Sequence, residues 1–102
     1  MNYVFELRQE AILELTNSVI WYEEQQLGLG IKFRGEVSNK LVQICKNPFH
    51  YKKSYKNFHE ALTDKFPFLI VYYINEIEQK IIVLTIFHTS RNPKKKYKRK
   101  QK

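Results

Sequence analysis

Cysteine occurs once, at Cys45. No disulfide can form within the chain, so a stapled secreted scaffold is excluded. Metal-site spacing is also missing: His50, His59 and His88 stand far apart, with no cysteine or carboxylate pair at ligand spacing. Neither a metal nor a cofactor is expected. Glycine and proline number three each, which leaves no flexible linker, and no segment repeats. No apolar run is long enough to cross a bilayer as a helix, so no membrane partner is expected. The first eight residues contain Glu6 and Arg8 and no apolar stretch. No signal peptide is expected, and the cytoplasm is the expected location. Acidic residues are absent from one further place: none occurs from Arg91 to Lys102, a stretch that holds eight basic residues with Arg91 included.

That last absence organises the charge. The 18 Lys+Arg and 10 Asp+Glu give a formal net charge of +8, and without the terminal block the two signs balance. Such a block serves either as an arm for nucleic acid or another polyanion, or as a solubilising terminus; the composition is compatible with both. The rest is a folding domain. Its 102 residues are 43% hydrophobic and 15% aromatic, enough for one modest core and too apolar for a disordered chain.

Periodicity divides the chain. Tyr3, Phe5 and Leu7 alternate over residues 2–7, the pattern of a short strand. Over residues 8–27 the period becomes helical, with Ala11, Ile12, Leu15, Val19 and Tyr22 on one face. Glu10, Glu14, Asn17 and Gln25 fall largely opposite, Glu23 and Glu24 read as a solvated face, and Trp21 lies outside the stripe. The Gly28-Leu29-Gly30 step ends this helix. A second helix is expected over residues 31–46, with Phe33, Val37, Leu41, Ile44 and Cys45 inward, and Cys45 as a small core residue. Asn47-Pro48 stops it. Residues 48–57 read as a polar, basic, aromatic loop. Strands are expected over residues 58–63, 66–74 and 81–87, the last two as a β-hairpin rich in β-branched and aromatic residues.

The expected class is α+β: a β-α-α-β-β-β order, with a helical hairpin packed on one face of a mainly antiparallel four-stranded sheet. Both faces of the hairpin are apolar. Strict alternation puts Leu69, Val71 and Tyr73 opposite Phe68, Ile70, Tyr72 and Ile74. It likewise puts Ile82, Leu84 and Ile86 opposite Ile81, Val83 and Phe87. One helix pair covers only one face, so apolar surface is left for the chain's own ends, a second copy or a different partner.

Four segments carry a resemblance: WYEEQQLGLGIKF at the helix junction, ICKNPFHY after the second helix, FHEALTDKFPFLIVYYI in the sheet and IVLTIFHTSRNP at the close. In order and spacing they resemble the RelE/ParE superfamily of bacterial type II toxins, closer to the ParE branch. The resemblance spans about residues 4–93. It implies a toxin domain over residues 1–93 followed by a basic, flexible tail over 94–102. It also implies a cytosolic protein that arrests growth, acts in plasmid stabilization, and is neutralised by a cognate antitoxin in a hetero-oligomer. ParE-like members are known for acting on DNA gyrase; RelE-like members cleave mRNA on the ribosome. A non-toxic basic nucleic-acid-binding module is a further alternative.

Under the resemblance, Phe68, Ile70, Tyr72 and Phe87 are the expected antitoxin-binding residues. His59, Lys65, Arg91, Lys94, Lys95 and Lys96 are expected to meet the target or nucleic acid. If the protein is a metal-independent endoribonuclease, Arg91 stabilises phosphate charge while His88 and Tyr97 handle protons. His59 and Lys65 stand where many relatives carry arginine, and lysine lacks the bidentate fork that suits phosphate.

Overall fold

The computed structural model describes residues 3–90. Strand β1 (Val4–Leu7) leads into helix α1 (Gln9–Gln25), which turns into helix α2 (Leu29–Lys46). The turn is made by Gly28, whose φ of 89° is a left-handed conformation open to glycine. Gly30 is needed for a different reason. A Cβ there would lie 2.4 Å from the Val19 carbonyl oxygen, so only glycine lets the helices approach this closely. The Glu23 carboxylate fastens the junction, accepting the N–H groups of Gly28 at 2.7 Å and Gly30 at 2.9 Å. Glu23 is therefore a clasp and not part of a solvated face.

Strands β2 (Lys52–Lys53), β3 (His59–Leu62), β4 (Phe68–Asn75) and β5 (Lys80–His88) follow. The sheet has five strands in the order β1-β5-β4-β3-β2. β1 runs parallel to β5 and every other pair is antiparallel, so the sheet is mixed. The expected four strands are all present; β2 adds a fifth from the segment read as loop. It comprises two exposed lysines that pair with Glu60 and His59.

A β-bulge resets the hairpin. Val71 faces Thr85, yet its neighbour Tyr72 faces Val83, so Leu84 has no partner across the ladder. One extra residue inverts the alternation beyond it. Ile86 therefore joins Ile81 and Val83 in the core under the helices. Phe87 moves to the opposite face, the reverse of what strict alternation predicts.

The core lies between the helices and one face of the sheet. Ala11, Phe33, Val37, Leu41 and Ile44 from the helices meet Phe68, Ile70, Tyr72, Val83 and Ile86. Tyr22, Phe33, Phe66 and Phe68 form its aromatic end, with Phe33 and Phe68 centroids 4.5 Å apart and Tyr22 and Phe66 5.0 Å apart. Ile12, expected in the α1 stripe, is half exposed at 48%.

Two more carboxylates lock elements together. β1 pairs with β5 only as far as Val83. Beyond that point Glu14 of α1 serves the strand edge, accepting the Thr85 hydroxyl at 2.6 Å and the Ile86 N–H at 3.0 Å. A strand edge answered in this way cannot recruit another strand there. Glu36 of α2 accepts the N–H groups of Lys65 and Phe66 at 2.7 and 2.9 Å and so holds the β3–β4 turn. Beside it, Lys40 pairs with Asp64 at 3.5 Å.

Candidate functional site

A cleft of about 590 Å³ opens where α1 passes the end of β5. Its aromatic wall is built from Trp21, Tyr22 and Phe68, and its polar rim from Asn17, Ser18, His88 and Ser90. Asn17 and Trp21 are four residues apart on α1 and so share one side of the helix. Tyr22 is held by the aromatic end of the core: its ring lies 5.1 Å from Phe33 and 6.1 Å from Phe68. Burial raises the Tyr22 hydroxyl above its ordinary pKa, which keeps it a neutral donor. Trp21 packs edge-on against Tyr22 at 5.2 Å and remains 55% exposed.

His88 sits on the opposite side of the cleft, edge-on to Phe68 at 5.3 Å. Its Nδ1 accepts the Ser90 backbone N–H at 3.0 Å, with the Ser90 Oγ 2.7 Å away. A ring nitrogen that accepts an N–H carries no proton, so the neutral ring bears its proton on Nε2. Next to it, the Thr89 N–H donates to the Pro67 carbonyl at 2.8 Å, bringing the β3–β4 turn and its exposed Lys65 to the same end of the sheet.

His59 is elsewhere. It is 7% exposed, and its ring stacks on Tyr72 at 5.4 Å with an interplanar angle of 16°. Its Nδ1 lies 3.1 Å from the Tyr51 carbonyl, which only accepts, so Nδ1 carries the proton. His59 pairs across β3–β4 with Tyr72, whereas His88 pairs across β4–β5 with Phe68. Four residues of strand and two inter-strand spacings set their backbones on the order of 15 Å apart. His59 is a core residue and not a surface contact.

The expected antitoxin-binding set also divides. Phe68, Ile70 and Tyr72 are at most 2% exposed and lie beneath the helices, so no partner can reach them. The Tyr72 hydroxyl donates to the Pro48 carbonyl at 2.7 Å. Burial, with Tyr51 and Cys45 nearby, raises its pKa well beyond the ordinary tyrosine range. Phe87 belongs to the other face, where Val71 and Ile82 are likewise buried and Leu69, Tyr73 and Leu84 are partly open. Arg8 reaches over that face to the Tyr73 hydroxyl at 3.0 Å. Arg91, Lys94, Lys95, Lys96 and Tyr97 lie outside the described residues.

Sequence reasoning passed over Asn17, Ser18, Ser90, Lys52 and Lys53. The spacing of Asn17 and Trp21 was a usable signal; the two lysines carry no apolar periodicity to mark them as a strand. Cys45 is buried, and burial raises its thiol pKa, as suits a core residue. Among the described residues no group of three His, Cys, Asp or Glu side chains is placed to hold a metal. No described helix is long and apolar enough to cross a membrane.

No protein-family model matches the chain, and no curated protein does. Solved structures do. A chain of the chromosomal ParDE toxin–antitoxin system from P. aeruginosa superposes with a TM-score of 0.73 at 12% identity, covering 84% of this chain and 95% of that one. A double arginine-to-alanine mutant of the E. coli toxin RelE in the free state gives 0.71 at 15% identity, covering 96% and 93%. A chain of the intact E. coli RelBE toxin–antitoxin complex gives 0.66 at 15% identity, covering 87% and 99%. The fold is therefore the one found in RelE and ParE toxin–antitoxin structures. The RelE and ParE matches are of similar quality.

Proposed function

We propose that this protein is the toxin of a type II toxin–antitoxin system, held inactive by a cognate antitoxin in a cytoplasmic hetero-oligomer. The observation that carries the reading is the shared fold, which extends over nearly the full length of both the ParE-type and RelE-type neighbours. The antitoxin contact proposed from the sequence moves to the face that the helices leave uncovered, where Leu69, Tyr73 and Leu84 are partly open and Leu62 is 56% exposed. Growth arrest through a gyrase-like target, as in the ParE branch, is the favoured action. Its support is that the sequence segments resemble the ParE branch more closely, and that His59, expected to meet the target where many relatives carry arginine, is buried against Tyr72. Expression of the chain alone should stop growth and induce the DNA-damage response with mRNA intact, and co-expression with the protein encoded beside it should restore growth. Transcript cleavage at paused ribosomes would overturn the gyrase reading.

A second reading, ribosome-dependent mRNA cleavage, rests on the position of His88. It lies at the mouth of the cleft, three residues before Arg91 in the sequence. A folded His88→Ala, Arg91→Ala double variant with undiminished toxicity would remove it.

A further inference from the structure

Helix α2 has a second apolar side that the domain does not use. Phe33, Val37, Leu41 and Ile44 turn into the core. Ile31, Gly35, Ser38 and Val42 recur on the opposite side, and at about 100° per residue they stay within about 60° of one another. All four are exposed, Ile31 to 71%. At one end of this stripe, Ile31 projects as an apolar knob. At the other end, Val42, Cys45 and Lys46 join Phe5 of β1 in lining a groove of about 300 Å³.

Gly35, midway along the stripe, has no role inside the domain. Its φ is not left-handed, and a Cβ added there would meet nothing within 4 Å. Gly30 differs, since a Cβ there would strike the Val19 carbonyl. Glycine in a helix interior weakens the helix relative to alanine. At an exposed position it gives something in return only when another helix approaches closely.

The stripe reads apolar, small, small, apolar in both directions, so it is its own complement. Antiparallel pairing with an identical helix, about a two-fold axis between Glu36 and Val37, sets Ile31 against the partner's Val42. It sets Gly35 against the partner's Ser38, and both contacts recur by symmetry. Charge agrees with this register. Arg34 faces the partner's Asn39, and the exposed Lys46 faces the partner's helix junction, whose neighbouring Glu24 is exposed and where the last turn of α1 holds no basic residue.

We infer that the protein forms a two-fold homodimer through the outer side of α2. Ile31 of each copy enters the groove of the other, and the backbones cross at Gly35 and Ser38. The contact lies apart from the sheet face proposed for the antitoxin. It is read on the purified chain, so a failure of the toxin reading leaves it standing.

Sedimentation velocity of the full-length protein over a range of concentrations should show a monomer–dimer equilibrium. Gly35→Leu has room in the monomer, so thermal melting should find the fold at least as stable. The same variant blocks the crossing and should raise the dimer dissociation constant about tenfold or more. Ile31→Glu removes the knob and should weaken the dimer as well. Register is tested by mixing Gly35→Cys and Ser38→Cys copies under oxidation; the native Cys45 is buried. The mixed disulfide should form ahead of either like pair. A chain that stays monomeric at every concentration, a dimer that tolerates both Gly35→Leu and Ile31→Glu, or an excess of like pairs would overturn the proposal. If the chain alone is monomeric and Gly35→Leu instead impairs co-purification with the protein encoded beside it, the face belongs to that partner and the homodimer is refuted.

Discussion

Neighbouring residues of β4 face very different surroundings. Ile70 and Tyr72 are sealed beneath the two helices, while Leu69 and Tyr73 keep part of their surface on the other side of the sheet. The side chains are similar in polarity, so hydrophobicity alone does not say which face is the inside of the domain. The helices decide it. The face under the helices is closed throughout, whereas the other face is closed at Val71, Ile82 and Phe87 and partly open at Leu69, Tyr73 and Leu84.

The sharpest way to break this comparison is to truncate one residue on each face. Ile70→Ala should cost about 2–5 kcal/mol, since it removes fully buried methyl groups and leaves a cavity. Leu69→Ala should cost clearly less, about 1 kcal/mol, because that side chain is already partly solvated. Urea denaturation of the two variants measures both, and equal losses would mean that the second face is packed as closely as the first.

A smaller effect tests the edge between the faces. Glu14→Ala would leave the Ile86 N–H and the Thr85 hydroxyl without the carboxylate they share. A loss of about 1–3 kcal/mol is expected, with faster amide exchange at Ile86. Unchanged protection at Ile86 would show that another group serves that edge.

The smallest effect is a dependence on pH. Tyr72 has a raised pKa in the fold, above the value near 10 of an unfolded tyrosine. Below pH 10 both states hold the proton and the stability is fully present. Above it the unfolded chain ionises first, so stability falls as pH rises, by up to about 1.4 kcal/mol per pH unit for this group. Melts between pH 9 and 11 should show the decline, and Tyr72→Phe should flatten it. That variant also gives up the bond to Pro48.

Much of the architecture was legible in the sequence because it depends on local patterns. The helical stripes, the glycine step and the two long strands each repeat with a period that a short window reveals. What escaped depends on distant contacts. The Leu84 bulge reverses the faces of Ile86 and Phe87, yet nothing in the run from Ile81 to Phe87 marks the extra residue. β2 consists of two lysines whose only strand signature is pairing with β3. Glu14, Glu23 and Glu36 resemble solvated helix residues until the backbone amides they accept are brought near by folding. For the candidate site, His88 was visible as the exit from β5. The cleft itself joins α1 to β4 and β5, and its position emerges only once the helices lie across the sheet. The cores of Phe68, Ile70 and Tyr72 were placed on the partner face for the same reason: alternation separates two faces without saying which one the helices take.

The parallel pairing of β1 with β5 has a consequence for the timing of folding. Glu6 and Lys80, which meet across that pair, are 74 positions apart. A contact of such long range carries a large loop-closure cost and forms late. During synthesis the first strand must wait, with Val4 and Phe5 exposed, until almost the whole domain has left the ribosome. The helical hairpin and the β3–β4–β5 meander can form from local contacts as they emerge, but the five-stranded sheet closes only at the end. Until β1 docks, the β5 edge from Lys80 to Val83 stays unpaired, so that edge is the last part of the sheet to be closed.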